Sequence, residues 1–153
     1  MTDDSHNLDR FLSAQKTHYD QAIAELRRGH KESHWMWYIF PQIRGLGTSE
    51  MAEFYSIKSR EEASAYLQHP ILGSRLIECC DALLKIETKT ATEILGSPDD
   101  LKLRSSATLF STFSSPDSVF SQIIDRYYSI TGVRQFHRGR CLILTYVTSR
   151  VLV

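Results

Sequence analysis

Apolar residues near the start of the chain fall at helical spacing. Leu8, Phe11, Leu12, Tyr19, Ala22, Ile23 and Leu26 recur three and four positions apart, which lays one stripe along a helix. Asn7 is placed to cap its start, Arg27 and Arg28 suit its last turn, and Gly29 suits its stop. A second strong stripe follows Pro70: Leu72, Leu76, Cys79, Cys80, Leu83, Leu84 and Ile86. Between the two lies a run with no clear period, His34-Trp35-Met36-Trp37-Tyr38-Ile39-Phe40-Pro41-Gln42. A buried helical turn and a short buried strand both permit it, and Pro41 stops whichever forms.

The intervening pieces carry helix punctuation. Gly45-Leu46-Gly47-Thr48 reads as a loop, and Ser49 can cap a short helix through Tyr55. Ser59 with Glu62 and Thr90 with Glu93 have capping-box spacing, and Gly96 ends the second of these helices. Ser97-Pro98 and Ser115-Pro116 each look like a helix opening with proline in the first turn. Cap, helix and stop repeat with short connections, so the pattern predicts an all-α fold, a single compact multi-helix domain over residues 1–129. From Ile130 the style changes, and residues 130–153 are set apart as a C-terminal extension. Within it, residues 141–153 are rich in Leu, Ile, Val, Thr and Tyr and read as a short strand or irregular segment.

Composition bounds this picture without redirecting it. With 153 residues, 42% hydrophobic and 24% charged, the chain can bury a real core and is not of disordered type. The formal net charge is zero, which argues against nucleic acid or an anionic membrane surface as a partner. The charge is unevenly placed, however. No acidic residue follows Asp125, while Arg126, Arg134, Arg138, Arg140 and Arg150 do, so the body is acidic and the tail basic. Cys79, Cys80 and Cys141 make an odd count with an adjacent pair, a poor disulfide framework and a better fit to reduced thiols. The polar, acidic first residues do not resemble a secretory signal, and no apolar run reaches membrane-spanning length, so a cytoplasmic location is expected.

The run from Ser33 to Gln42, then Gly45-Leu46-Gly47, Met51-Ala52, Tyr55, Tyr66-Leu67, His69-Pro70-Ile71-Leu72-Gly73 and Arg75-Leu76 form one recognisable set. Asp99-Asp100-Leu101-Lys102-Leu103-Arg104-Ser105-Ser106 with Thr108-Leu109-Phe110 complete it. Together they resemble the domain-of-unknown-function family 1810, from about Leu8 to Tyr128. That resemblance implies a compact, mostly helical bacterial and fungal domain with no established activity. The label calpastatin sometimes given to such proteins does not suit this chain, which is globular and unrepeated. Residues 129–153 depart from the short, polar, acid-containing ending the resemblance implies. A lineage-specific extension and an altered splice or reading frame would both produce such a tail. A fainter similarity of size and helical layout links the chain to the NADAR family, whose members act on ADP-ribose-type N-glycosidic bonds. It implies a ligand class only, and no catalytic residue is carried over from that family.

Two constellations carry candidate chemistry. Trp35, Trp37, Tyr38 and Phe40 include both tryptophans of the chain, and such rings line pockets as well as cores. His34 and Gln42 bracket the run and, with Lys31, could supply hydrogen bonds to a polar or anionic ligand. The second is the segment Lys102-Leu103-Arg104-Ser105-Ser106. On a helix Lys102, Ser105 and Ser106 share a face, with Asp99 one turn earlier. Lysine with hydroxyls can grip phosphate or carboxylate, while a solvated face with back-bonded hydroxyls is the plainer alternative, and a serine–lysine nucleophile the least expected. His30 and His34 have a zinc-compatible spacing, but no third ligand accompanies them, so no metal and no cofactor is expected. The glycine loop lacks the Lys-Ser/Thr pair of a P-loop and does not match the dinucleotide fingerprint.

These readings converge on a ligand site formed by His34, Trp35, Trp37, Gln42, Lys102, Ser105 and Ser106, for a small anionic or nucleotide-type ligand such as an ADP-ribose-like compound. The rival is a protein–protein interaction module without catalysis. For the tail, truncation after Ser129 is expected to leave a folded domain, measured by circular dichroism and solubility. An insoluble product would show that the apolar stretch 141–153 packs into the core.

Overall fold

The structure, a computed structural model, describes residues 4–129, and the tail assigned to residues 130–153 lies outside them. Eight helices follow one another: α1 (Asp9–Arg28), α2 (Met36–Ile39), α3 (Glu50–Phe54), α4 (Arg60–Gln68), α5 (Leu72–Leu84), α6 (Ala91–Leu95), α7 (Asp99–Ser111) and α8 (Val119–Tyr128). Among the described residues strand-type pairing is limited to one isolated parallel bridge between Ile43 and Ile57. The fold is all-α, and the ambiguous aromatic run resolves into a four-residue helix.

Helix α5 is the centre of the packing, in contact with α1, α4 and α8. It buries Leu72, Leu76, Cys79, Cys80 and Leu83, the stripe read from its sequence. Gly73 lets α4 and α5 meet closely: a Cβ there would lie 2.0 Å from the Leu67 carbonyl oxygen. Aromatic rings tie the helices together. Phe11 of α1 meets Tyr66 of α4 edge-on with centroids 5.0 Å apart, Tyr66 meets Phe110 of α7 at 5.4 Å, and Phe110 meets Phe120 of α8 at 5.8 Å.

Several caps form as the sequence implies. Ser49, Ser59 and Thr90 accept hydrogen bonds from the backbone N–H three residues on. Gly29 ends α1 with φ +72°. Four details differ. Helix α7 starts at Asp99 with Pro98 in the N-cap position, so that proline precedes the helix and does not occupy its first turn. Asn7 does not cap α1; Asp4 does, its carboxylate accepting from the N–H groups of Leu8 and Asp9. Helix α8 begins at Val119 with Ser118 as its cap, because the Ser115-Pro116 segment forms a turn first. Glu62 does not complete its capping box: its carboxylate turns to the N–H of Lys58 and to Arg10.

That last contact is a buried ion pair. Arg10 and Glu62 are both buried, and the guanidinium also donates to the carbonyls of His6, Asn7, Phe54 and Ser56. The pair thus joins the start of α1, the end of α3 and the start of α4. Arg10→Met is expected to cost about 3–5 kcal/mol in urea unfolding, because it strands a desolvated carboxylate. Arg10→Met with Glu62→Leu should recover part of that loss.

Candidate functional site

Construction of the site starts from Glu25, on the buried face of the last turn of α1. One carboxylate oxygen accepts from the backbone N–H of Glu32 at 3.1 Å, the N–H of Ser33 at 2.8 Å and the Ser33 hydroxyl at 2.7 Å. The other accepts from the indole N–H of Trp35. Burial alone would push this carboxyl up, but the Trp35, Ser33 and Glu32 donors outweigh it and hold the group below the ordinary carboxylate range. The segment after α1 is therefore wrapped around a fixed negative charge.

Pinned in this way, the segment presents Lys31. Its backbone N–H donates to the Ile94 carbonyl at 2.8 Å, which fastens it to α6. Its ammonium donates to the Ser33 carbonyl, lies 5.1 Å from the Trp35 ring centroid, and pairs with Asp99 at 2.9 Å. The other oxygen of Asp99 pairs with Lys102 at 3.1 Å, one turn along α7. Lys102 in turn lies 4.9 Å from the Trp37 ring centroid. Two lysines thus share one carboxylate, and each ammonium sits beside an indole. The side chains of Lys31, Asp99 and Lys102 are 8%, 17% and 21% exposed, so this charge is well shielded from water without being sealed.

The structure brings Lys102 to the aromatic segment across more than sixty positions of sequence, as the chemistry suggested. The remaining candidates divide. Trp35 is 1% exposed and spends its N–H on Glu25, so it forms the floor under Lys31. Trp37 is half-buried and packs against the core from its edge. His34 is exposed, with its carbonyl accepting from the Tyr38 hydroxyl at 3.2 Å. Gln42 is half-buried, and its backbone carbonyl takes the Ile57 N–H at the bridge. Among the described residues no hydrogen bond, ion pair or ring contact joins His34 or Gln42 to Lys102.

Ser105 donates back to the Leu101 carbonyl at 3.1 Å, while Ser106 is buried and its hydroxyl has no partner among the described residues. Neither serine is hydrogen-bonded to Lys102, so the arrangement is an anion-compatible cation pair rather than a serine–lysine nucleophile. Cys79 and Cys80 are poorly suited to act as nucleophiles. Burial pushes the Cys79 thiol up to about 12 and Cys80 well above its usual value, and both are free thiols. His30 and His34 both follow the end of α1, so their spacing does not place them on one helical face.

Sequence reasoning passed over Glu25 entirely. It also passed over a cleft of about 710 Å³ floored by Arg10 and Glu62 and walled by Glu50, Glu53, Phe54 and Lys58. Burial, with Arg10 nearby, holds the Lys58 ammonium below the usual lysine range. None of the sequence-derived candidates lines this cleft.

A family model described as a protein of unknown function, DUF1810, matches residues 5–136. The chain belongs to the DUF1810 family. The match ends inside the segment set apart as an extension, seven residues beyond Ser129. The crystal structure of the conserved hypothetical protein Rv1873 from Mycobacterium tuberculosis is similar, at 44% identity and a TM-score of 0.81. The match covers 93% of this chain and 99% of that one. No curated protein matches the chain.

The Glu25 cage yields a pH prediction. A carboxyl held below its unfolded value stabilises the fold above the ordinary carboxylate range, about pH 4.3, and loses that contribution as pH falls through the folded value. Glu25→Gln should therefore be less stable than wild type at pH 7, with the gap narrowing below about pH 4. Urea unfolding across pH measures it; a constant gap would contradict the assignment.

Proposed function

We propose that this DUF1810 domain binds a small anionic, nucleotide-type ligand on the face formed by Lys31, Lys102 and Trp37. The observation that carries this reading is the sharing of Asp99 by two lysines. Asp99 is divided between two ammoniums in a partly desolvated place, where a phosphate or carboxylate drawn to either is worth more than in water. The half-buried Trp37 supplies an aromatic surface beside it for a flat group such as a nucleobase. ADP-ribose-like compounds combine both features and are the first ligands to test. The formal net charge of the chain is zero, which suits a small anion better than a nucleic acid.

A cytoplasmic location suits this reading. Cys79 and Cys80 are free thiols, and no helix among the described residues is long and apolar enough to cross a membrane. The rival, an interaction module, is favoured by one observation. Helix α3 buries none of its residues and exposes Met51 at 40% and Phe54 at 53%.

Thermal shift and calorimetry with ADP-ribose, AMP and inorganic phosphate separate the two. The expected result is a raised midpoint with at least one of these ligands, lost in Lys102→Ala. That substitution leaves the Lys31–Asp99 pair in place, so Asp99 keeps a partner and the variant should stay folded. Undiminished binding by Lys102→Ala would remove the site from this face, and no shift with any of the three would put the interaction module first.

A further inference from the structure

The cleft beside α3 is built differently from the lysine–tryptophan face, and nothing in the proposed function uses it. Its volume, about 710 Å³, lies within the range of small-molecule sites. Its floor is closed chemically. Every donor of the Arg10 guanidinium is committed, to Glu62 and to four backbone carbonyls, and the second oxygen of Glu62 takes the Lys58 N–H at 2.7 Å. The floor therefore offers a ligand no free charge. It holds the walls in register instead, because its partners are the backbone of residues 6 and 7, of residues 54 and 56, and of residue 58.

The walls hold the charges that remain. Glu53 and Phe54 lie about one helical turn beyond Glu50 on α3, and the three line the cleft together. Neither glutamate forms an ion pair among the described residues. The Phe54 ring is 53% exposed, with Tyr55 edge-on behind it at 4.8 Å. The loop that follows contributes Lys58, whose ammonium has one long contact, 3.4 Å, to the Ser56 carbonyl and no carboxylate partner among the described residues. A cavity thus presents two unpaired carboxylates with an aromatic face from one element, and an unpaired ammonium from another.

We infer that this cleft binds a small zwitterion of the amino-acid type, its ammonium held by Glu50, Glu53 and the Phe54 ring and its carboxylate by Lys58. A simple anion would meet the two glutamates, and a simple cation would leave Lys58 uncompensated; a molecule with both charges answers the two glutamates and Lys58 together. Recognition of ammonium by carboxylates next to a ring face is a favourable arrangement for such groups.

The test is an amide-detected NMR titration of the full chain with L-phenylalanine and L-lysine. Phenethylamine, which lacks the carboxylate, and N-acetyl-phenylalanine, which lacks the ammonium, are the control arms. The inference expects saturable shifts at the amides of residues 50–59 with at least one amino acid. It also expects at least tenfold weaker binding of both controls, and at least tenfold weaker binding of the amino acid to Glu53→Gln and to Lys58→Gln. Both substitutions lie on the exposed walls, and an otherwise unchanged spectrum verifies their folds. No saturable shift with either amino acid would overturn the inference. So would phenethylamine or N-acetyl-phenylalanine binding as tightly as phenylalanine, or shifts that map elsewhere. Because the cleft shares no residue with the lysine–tryptophan face, loss of anion binding there leaves this result unaffected.

Discussion

A carboxylate sealed inside a helical protein must be met by donors on every side, and the order around Glu25 follows from that requirement. Helix α1 carries it inward because the buried face of the helix includes position 25. Once there, it needs hydrogen bonds that α1 cannot supply, and the chain after Gly29 turns back to give them from Glu32, Ser33 and Trp35. That turn fixes the indole of Trp35 in the core and sets Lys31 over it, within reach of Asp99 on α7. The lysine–tryptophan face is thus downstream of one buried charge. Remove the charge, and the segment keeps its sequence but loses the reason for its path.

The Arg10–Glu62 pair solves the same problem at the start of α1. With one short bridge as the only extended pairing among the described residues, the long connections around α2 and α3 have no ladder to lean on. Their backbone carbonyls are instead gathered by a guanidinium whose fork reaches several at once. Gln15 plays a smaller part of this kind between the two, donating to the Tyr38 carbonyl at 2.7 Å and to the Tyr66 hydroxyl at 3.2 Å. Apolar packing around α5 supplies the bulk of the stability. These polar anchors decide where the loops go, and the loops carry the sites.

The apolar stripes of α1 and α5 were legible because their spacing is local, and the caps at Ser49, Ser59 and Thr90 were legible because a cap reads only three residues. Lys102 was legible as a candidate from its neighbours on α7. Its meeting with Trp37 is a tertiary contact that chemical complementarity suggested and no spacing could specify. Glu25 was not legible, because a glutamate beside Leu26 at the edge of a stripe resembles any solvated residue at a helix end. A signal was present further upstream. Gln15 lies four positions from both Phe11 and Tyr19, in the middle of the stripe, and it marks α1 as a helix whose buried face carries polar anchors. The cleft beside α3 was illegible for a different reason: its lining comes from residues 5–10, 50–59 and 62, whose charges look unremarkable one at a time.

The dependence of the site on Glu25 can be read most directly from amide hydrogen exchange at Glu32 and Ser33, whose N–H groups end on its carboxylate. Comparison of wild type with Glu25→Gln under native conditions isolates that contact, since a carboxamide turns one acceptor into a donor aimed at donors. The account predicts a selective loss of protection at these two amides, while the central amides of α5 keep theirs. Unchanged protection at Glu32 and Ser33 would show that the segment holds its path without the buried carboxylate and would contradict it.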